Sequence, residues 1–121
     1  MAAGTQQLIE TAVRRFQEEV PALARLKLVF ELELRGRGDV QMFRVELPGP
    51  KISKAVADDA RVTVTMPRAN FNELATEGKA SDYRDAYEQG HIKVEGDANV
   101  QKLIAQVVMR YEQRSRLRKV L

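Results

Sequence analysis

The sequence predicts an α+β fold, a sheet whose single apolar face lies under helices, and three observations predict it. Apolar residues recur at helical spacing near both ends of the chain, over residues 8–20 and 100–111. Leu26, Leu28, Phe30, Leu32 and Leu34 alternate strictly with Lys27, Val29, Glu31, Glu33 and Arg35, the period of a strand with one buried face. The elements then follow in the order helix, hairpin, two strands, helices, strand, helix, which a two-layer domain accommodates. With 121 residues there is material for one core and no second one.

Each element has a local cause. Thr5 is a candidate cap for a first helix in which Leu8, Ile9, Ala12, Val13, Phe16 and Val20 share a face, and Pro21 ends or kinks it. After the first strand, Gly36-Arg37-Gly38-Asp39 supplies a turn. A second strand sets Phe43, Val45 and Leu47 against Met42, Arg44 and Glu46, which makes an antiparallel hairpin that Pro48-Gly49-Pro50 breaks. A weaker strand is expected over residues 52–56 and a clearer one over 61–66, with Asp58-Asp59 in the polar turn between them. Pro67 closes that strand and suits a helix's first turn, while Asn70 with Glu73 forms a cap-like pair. Two short helices end at Gly78 and Gly90, both expected in the left-handed conformation, and Ser81 is the candidate cap of the second. Ile92 and Val94 give a fifth strand. Asp97 caps a last helix presenting Val100, Leu103, Ile104, Val107, Val108 and Tyr111 on one face.

The segment Ala86-Tyr87-Glu88-Gln89-Gly90-His91-Ile92-Lys93-Val94-Glu95-Gly96-Asp97 resembles the sterol carrier protein 2 family of lipid-binding domains, in which an Ala-aromatic-x-x-Gly turn feeds an alternating strand ending in Gly-Asn or Gly-Asp. Residues 59–66 look like that family's preceding strand, and residues 71–79, FNELATEGK, like the helix after it. In order, the pieces span residues 28–108. The resemblance implies a five-stranded mixed sheet with helices covering one face and a hydrophobic tunnel between the layers. It also implies non-enzymatic binding and transfer of apolar lipids of fatty acyl, acyl-CoA, sterol or isoprenoid type. Strand alternation and helix periodicity aim Phe30, Leu32, Phe43, Val64 and Phe71 at Leu74, Ile104 and Val108 across the layer. Tyr83 and Tyr87, four apart on one helix face, add hydroxyls for a ligand's head. The same residues also read as an ordinary core.

Catalytic and metal chemistry is poorly supplied. His91 is the single histidine and sits in a turn, and no cysteine is present. Asp58-Asp59 and Glu18-Glu19 are adjacent pairs whose side chains point apart, so no metal is expected. Ser53, Ser81 and Ser115 lack a nucleophile-elbow setting, the glycines fall singly at turns, and no cofactor cradle is visible. Glu10, Arg14, Arg15, Gln17, Glu18 and Glu19 interrupt the first apolar stretch, so it is not read as a secretion signal. The chain ends Lys119-Val120-Leu121, unlike the Ser-Lys-Leu-like peroxisomal ending of many eukaryotic members of the resembled family, and a cytoplasmic, prokaryotic setting is expected.

The formal charge of +3 is uneven. Residues 110–121 carry Arg110, Arg114, Arg116, Arg118 and Lys119 against Glu112 alone, leaving the body near neutral and a nucleic-acid partner disfavoured. We therefore read residues 1–121 as one domain with a basic extension at 112–121. On a helix Arg114 and Arg118 continue the face of Val107 and Tyr111, so an apolar stripe turns basic at the end. Arg114, Arg116, Arg118 and Lys119 are candidate contacts with an anionic membrane surface. A different function fits the same sequence: a structural or adaptor module with a filled core, whose basic tail binds protein or nucleic acid.

Overall fold

The computed structural model describes residues 2–120, with side chains described for residues 4–114. Helix α1 (Ala2–Glu19) leads through a 3₁₀ turn (Pro21–Arg25) into the hairpin of β1 (Leu28–Arg35) and β2 (Val40–Leu47). Then come β3 (Lys51–Ser53), β4 (Val62–Pro67), α2 (Arg68–Glu77), α3 (Ala80–Glu88), β5 (Lys93–Gly96) and α4 (Ala98–Val120). The five strands form one sheet in the order β3-β2-β1-β4-β5. Central β1 pairs antiparallel with β2 and parallel with β4, so the sheet is mixed, in agreement with the α+β expectation.

The alternation of β1 does what its period requires. Leu32 sits between Phe43 of β2 and Val64 of β4 in the register, and Leu34 is fully enclosed. Ile9 of α1 and Phe71 and Ala75 of α2 close over that face in one buried cluster. Most of the fold's hydrophobic stabilisation lies here, since each fully buried Leu or Phe contributes about 1.5–3 kcal/mol.

The opposite face was expected to be solvated, and Glu31 departs from that expectation. It is 9% exposed, because the chain from β3 to β4 must cross β2 and β1 on the side the helices leave free. Glu31 Oε2 accepts the Ala57 N–H at 2.8 Å, and Arg44, its partner in register, holds Asp59 through two hydrogen bonds of 3.0 and 2.6 Å. That pairing keeps the Asp59 carboxyl below the usual carboxylate range. The crossover also shortens β3 to Lys51–Ser53, where a strand reaching residue 56 was expected.

Three expected caps are corrected. Helix α1 extends N-terminal of Thr5 to Ala2, and within it the Gln6 amide donates to the Ile52 carbonyl at 2.7 Å. Asn70 lies inside α2, which starts immediately after extended Pro67. Ser81 lies inside α3, whose first N–H groups are taken instead by Asp82, from Lys79, and by Glu19 of α1, from Ala80.

Gly78 is not left-handed: its φ is −72°. Glycine is needed there for space, because a Cβ would meet the Leu74 carbonyl oxygen at 2.5 Å. Gly90 does take φ +84°, with Gly90 N–H donating to Tyr87 O and His91 N–H to Ala86 O, the paired bonds of a Schellman stop. Asp97 caps α4 as expected, its Oδ1 accepting from Asn99 N–H at 2.9 Å and Val100 N–H at 3.2 Å.

Candidate functional site

The structure separates the sequence's candidate lipid contacts into three groups. Leu32, Phe43 and Phe71 are buried in the main core, where they fill the space between sheet and helices. Phe30, Val64, Leu74 and Tyr83 are partly buried and pack against that core. Ile104 and Val108 are half-buried on α4 and belong to neither core cluster, while Tyr87 is 51% exposed. Of the basic residues, Arg114 is exposed; Arg116, Arg118 and Lys119 lie outside the residues whose side chains are described.

Helix α4 differs from the others in that none of its described residues is buried. Its apolar stripe meets a second, smaller cluster made of Val20, Leu23 and Ala80, against which Val107 and Tyr111 pack. Polar contacts tie it at its start and again beyond its middle. Asp97 pairs with Arg61 at 2.5 Å, and that hydrogen bond, with the cap bond from Val100, holds its carboxyl below the usual range. Farther along, Arg84 of α3 pairs with Glu112, whose side chain is 12% exposed.

Two cavities of this looser helical layer are lined by described residues. The first, about 310 Å³, opens where α1 crosses the break between α2 and α3, and is walled by Ala12, Phe16, Leu74, Gly78 and Tyr83. Two of its charged walls, Arg15 and Glu19, are committed to helix ends. Arg15 donates to the Thr76 and Ala75 carbonyls at the C-terminus of α2, and the Glu19 carboxylate accepts the Ala80 N–H at the start of α3. Each charge complements the dipole end it touches. The Tyr83 ring meets Phe16 edge to face at 5.3 Å, and burial pushes its phenol up to about 12, so it stays a neutral hydroxyl at physiological pH.

The second cavity, about 500 Å³, lies between the end of α1, the 3₁₀ turn and α4. Val20, Pro21 and Ala22 face Val107 and Tyr111, and Arg110 and Arg114 stand on the α4 side. Glu18 and Glu19 border both cavities, so the last turn of α1 is the wall between them. Among the ten candidate lipid contacts, Leu74 and Tyr83 line the first cavity. Phe16, Arg15 and Glu19 were not singled out from sequence. Phe16 lay in plain view on the first helix's apolar stripe; Arg15 and Glu19 gave no signal, because their partners are about sixty residues away in the chain.

Among the described residues no three His, Cys, Asp or Glu side chains converge as a metal site would require, and His91 is exposed in the turn before β5. No described helix is long and apolar enough to cross a membrane.

A comparison with protein families matches residues 9–109 to the SCP-2 sterol transfer family. This chain belongs to that family. Its relatives among solved structures include palmitated sterol carrier protein 2-like 2 of Aedes aegypti, with 26% identity over 83% of this chain and 93% of that one and a TM-score of 0.58. A crystal structure of the Aedes aegypti sterol carrier protein 2-like 2 gives 25% identity, coverage of 85% and 98%, and a TM-score of 0.57. The sterol carrier protein domain 2 of Helicoverpa armigera is 13% identical over 87% of this chain and 85% of that one, with a TM-score of 0.62, and shares the fold. A comparison with curated proteins gave no match. The SCP-2 scaffold therefore carries, in this member, a filled sheet-side core and two cavities in the helices beside it.

Proposed function

We propose that this protein binds and transfers apolar lipids, of fatty acyl, acyl-CoA, sterol or isoprenoid type, without catalysing a reaction on them. The observation that carries this reading is the 310 Å³ cavity against the core in a chain of this family, one of whose relatives is described as palmitated. Its volume lies at the low end of the ~300–1,000 Å³ usual for small-molecule sites. Entry of a longer ligand requires the layer to widen. The seam to open is that between α1 and the α2–α3 break, where Arg15 and Glu19 make polar, reversible contacts. As it opens, Phe30, Val64, Leu74 and Tyr83 are the first core-lining groups to meet the ligand, with Leu32, Phe43 and Phe71 behind them. Ile104, Val108 and Tyr87 would join only if α4 and α3 close over it. Binding energy comes from burial at about 0.8 kcal/mol per methylene, a term blind to head-group chemistry.

The basic end of α4 gives this reading its second half. Arg114, Arg116, Arg118 and Lys119 draw the carrier to anionic membranes, at about 1 kcal/mol per cation near the surface, an attraction that falls as salt shortens the Debye length. Because Arg114 also lines the second cavity, the variant that tests this is R116Q/R118Q/K119Q. Transfer to anionic vesicles should slow while transfer to neutral vesicles is unchanged; equal rates to both in the variant and the parent would remove the membrane role.

The packed centre of the layer, where Leu32, Phe43 and Phe71 meet, favours a second reading, an adaptor module with a filled core. Native mass spectrometry of gently purified protein, with titration of a fluorescent fatty acid and a fluorescent sterol, separates the two. Co-purified lipid or saturable binding supports the carrier. A clean apo mass and no saturation with either probe supports the adaptor.

A further inference from the structure

We infer that the second cavity recognises the anionic head, carboxylate or phosphate, of a single-chain amphiphile between Arg110 and Arg114, its tail passing the last turn of α1 into the first cavity. The inference rests on the lipid-carrier reading and adds to it a ligand class and two specificity residues.

Arg110 and Arg114 are one turn apart on α4, a spacing that puts side-chain origins about 5–6 Å from each other on one face. Both are exposed, and none of the ion pairs among the described residues includes either of them. Two guanidiniums at that spacing offer forked donors to one oxyanion, the geometry in which arginine exceeds lysine. Glu19 keeps its charge but is held in place by the Ala80 N–H on the α3 side, and neither Glu18 nor Glu19 forms an ion pair with Arg110 or Arg114 among the described residues.

The rest of the cavity is suited to carbon. Val20, Pro21 and Ala22 on one side and Val107 and Tyr111 on the other leave a slot of about 500 Å³ that is apolar within and cationic along α4. Such a division matches an amphiphile, because an anionic head can accept from the two guanidiniums while a sterol or a neutral ester leaves them to water. The tail's direction follows from the walls. The sheet-side layer is filled by core residues, so the open volume adjoining this slot is the first cavity, beyond the turn that carries Glu18 and Glu19. Displacing that turn breaks the Glu19 bonds to α3 and joins the two spaces.

The test is competition by hexadecanoate, hexadecyl phosphate and methyl hexadecanoate against a neutral fluorescent acyl probe, in the parent protein, R110Q/R114Q and R110K/R114K. The parent should bind the carboxylate or the phosphate about tenfold or more tighter than the ester, the size expected of charge-assisted hydrogen bonds. Which of the two anions wins identifies the head. In the glutamine variant the preference should shrink to within about twofold with ester affinity unchanged, and lysine should restore it in part. Equal binding of anions and ester by the parent, or a preference that survives in R110Q/R114Q, overturns the inference and leaves the carrier reading intact. Failure of the neutral probe itself to bind overturns both. Because the two arginines are exposed, circular dichroism of the variants should match the parent, and a loss of fold in R110Q/R114Q would count against their being free for a ligand.

Discussion

The two sides of the helical layer are built differently. Over β1, β2 and β4, helices α1 and α2 seat Ile9, Phe71 and Ala75 on Leu34, Phe43 and Val45 in one buried cluster. Beside it, α4 runs from the end of β5 to the 3₁₀ turn with no described residue buried, held by a cap, two ion pairs and a small cluster around Val20. The contrast teaches that dense packing and open volume occupy separate parts of a small domain. A chain of this size has few kcal/mol to spare, so it packs one region densely and leaves cavities where contacts are few.

The largest effect should follow from breaking the dense side. Phe43→Ala removes a 1% exposed ring and should cost about 3–5 kcal/mol in denaturant unfolding, a large share of the ~5–15 kcal/mol typical of a domain. A cost below ~1 kcal/mol would mean the core is looser than the contrast requires. Gly78→Ala comes next. Were the glycine only flexible, alanine would stabilise by about 0.4–1 kcal/mol; with Leu74 O 2.5 Å from the new Cβ, a loss of ~1–3 kcal/mol is expected instead. Equilibrium unfolding gives the sign directly.

On the loose side effects should be smaller in stability and larger in binding. Val107→Ala at the second cavity should lower unfolding free energy by about 1 kcal/mol or less, since the side chain is only half covered, yet weaken the acyl probe measurably. Equal, Phe43-like losses in stability would show that α4 is part of the core after all. The subtlest test is acid. The Asp97 carboxyl is held below its ordinary value in the folded state, so its contribution to stability is complete above the unfolded value of about 3.9 and is lost as pH falls through the folded one. Amides at the start of α4 should therefore lose protection before those of β1 as pH drops below about 4, and Asp97→Ala, which removes both the cap and the Arg61 pair, should show that loss already at neutral pH. Parallel loss of protection in β1 and α4 would erase the distinction between the two sides.

Much of this was legible in the residues. The strict alternation from Leu28 to Leu34, the turn glycines of the hairpin, the Gly90 stop and the Asp97 cap each act within a few neighbours, and each is where the sequence puts it. The family was legible too, in the run from Ala86 to Asp97. The candidate site was legible only in part. Leu74 and Tyr83 line a cavity, but Leu32, Phe43 and Phe71, chosen by the same periodicity, are central core.

Sequence by itself determined which residues need cover, because the periods of strand and helix are set by the local backbone. Tertiary structure alone decided what supplies that cover. An apolar stripe specifies burial without naming its partner, so α1 and α2 close the sheet while the stripe of α4 is left half open. The same holds for polar groups. Glu31 is buried because the crossover runs above it, and Glu19 caps a helix that begins 61 residues later, contacts that exist only once distant segments meet and that no local rule encodes.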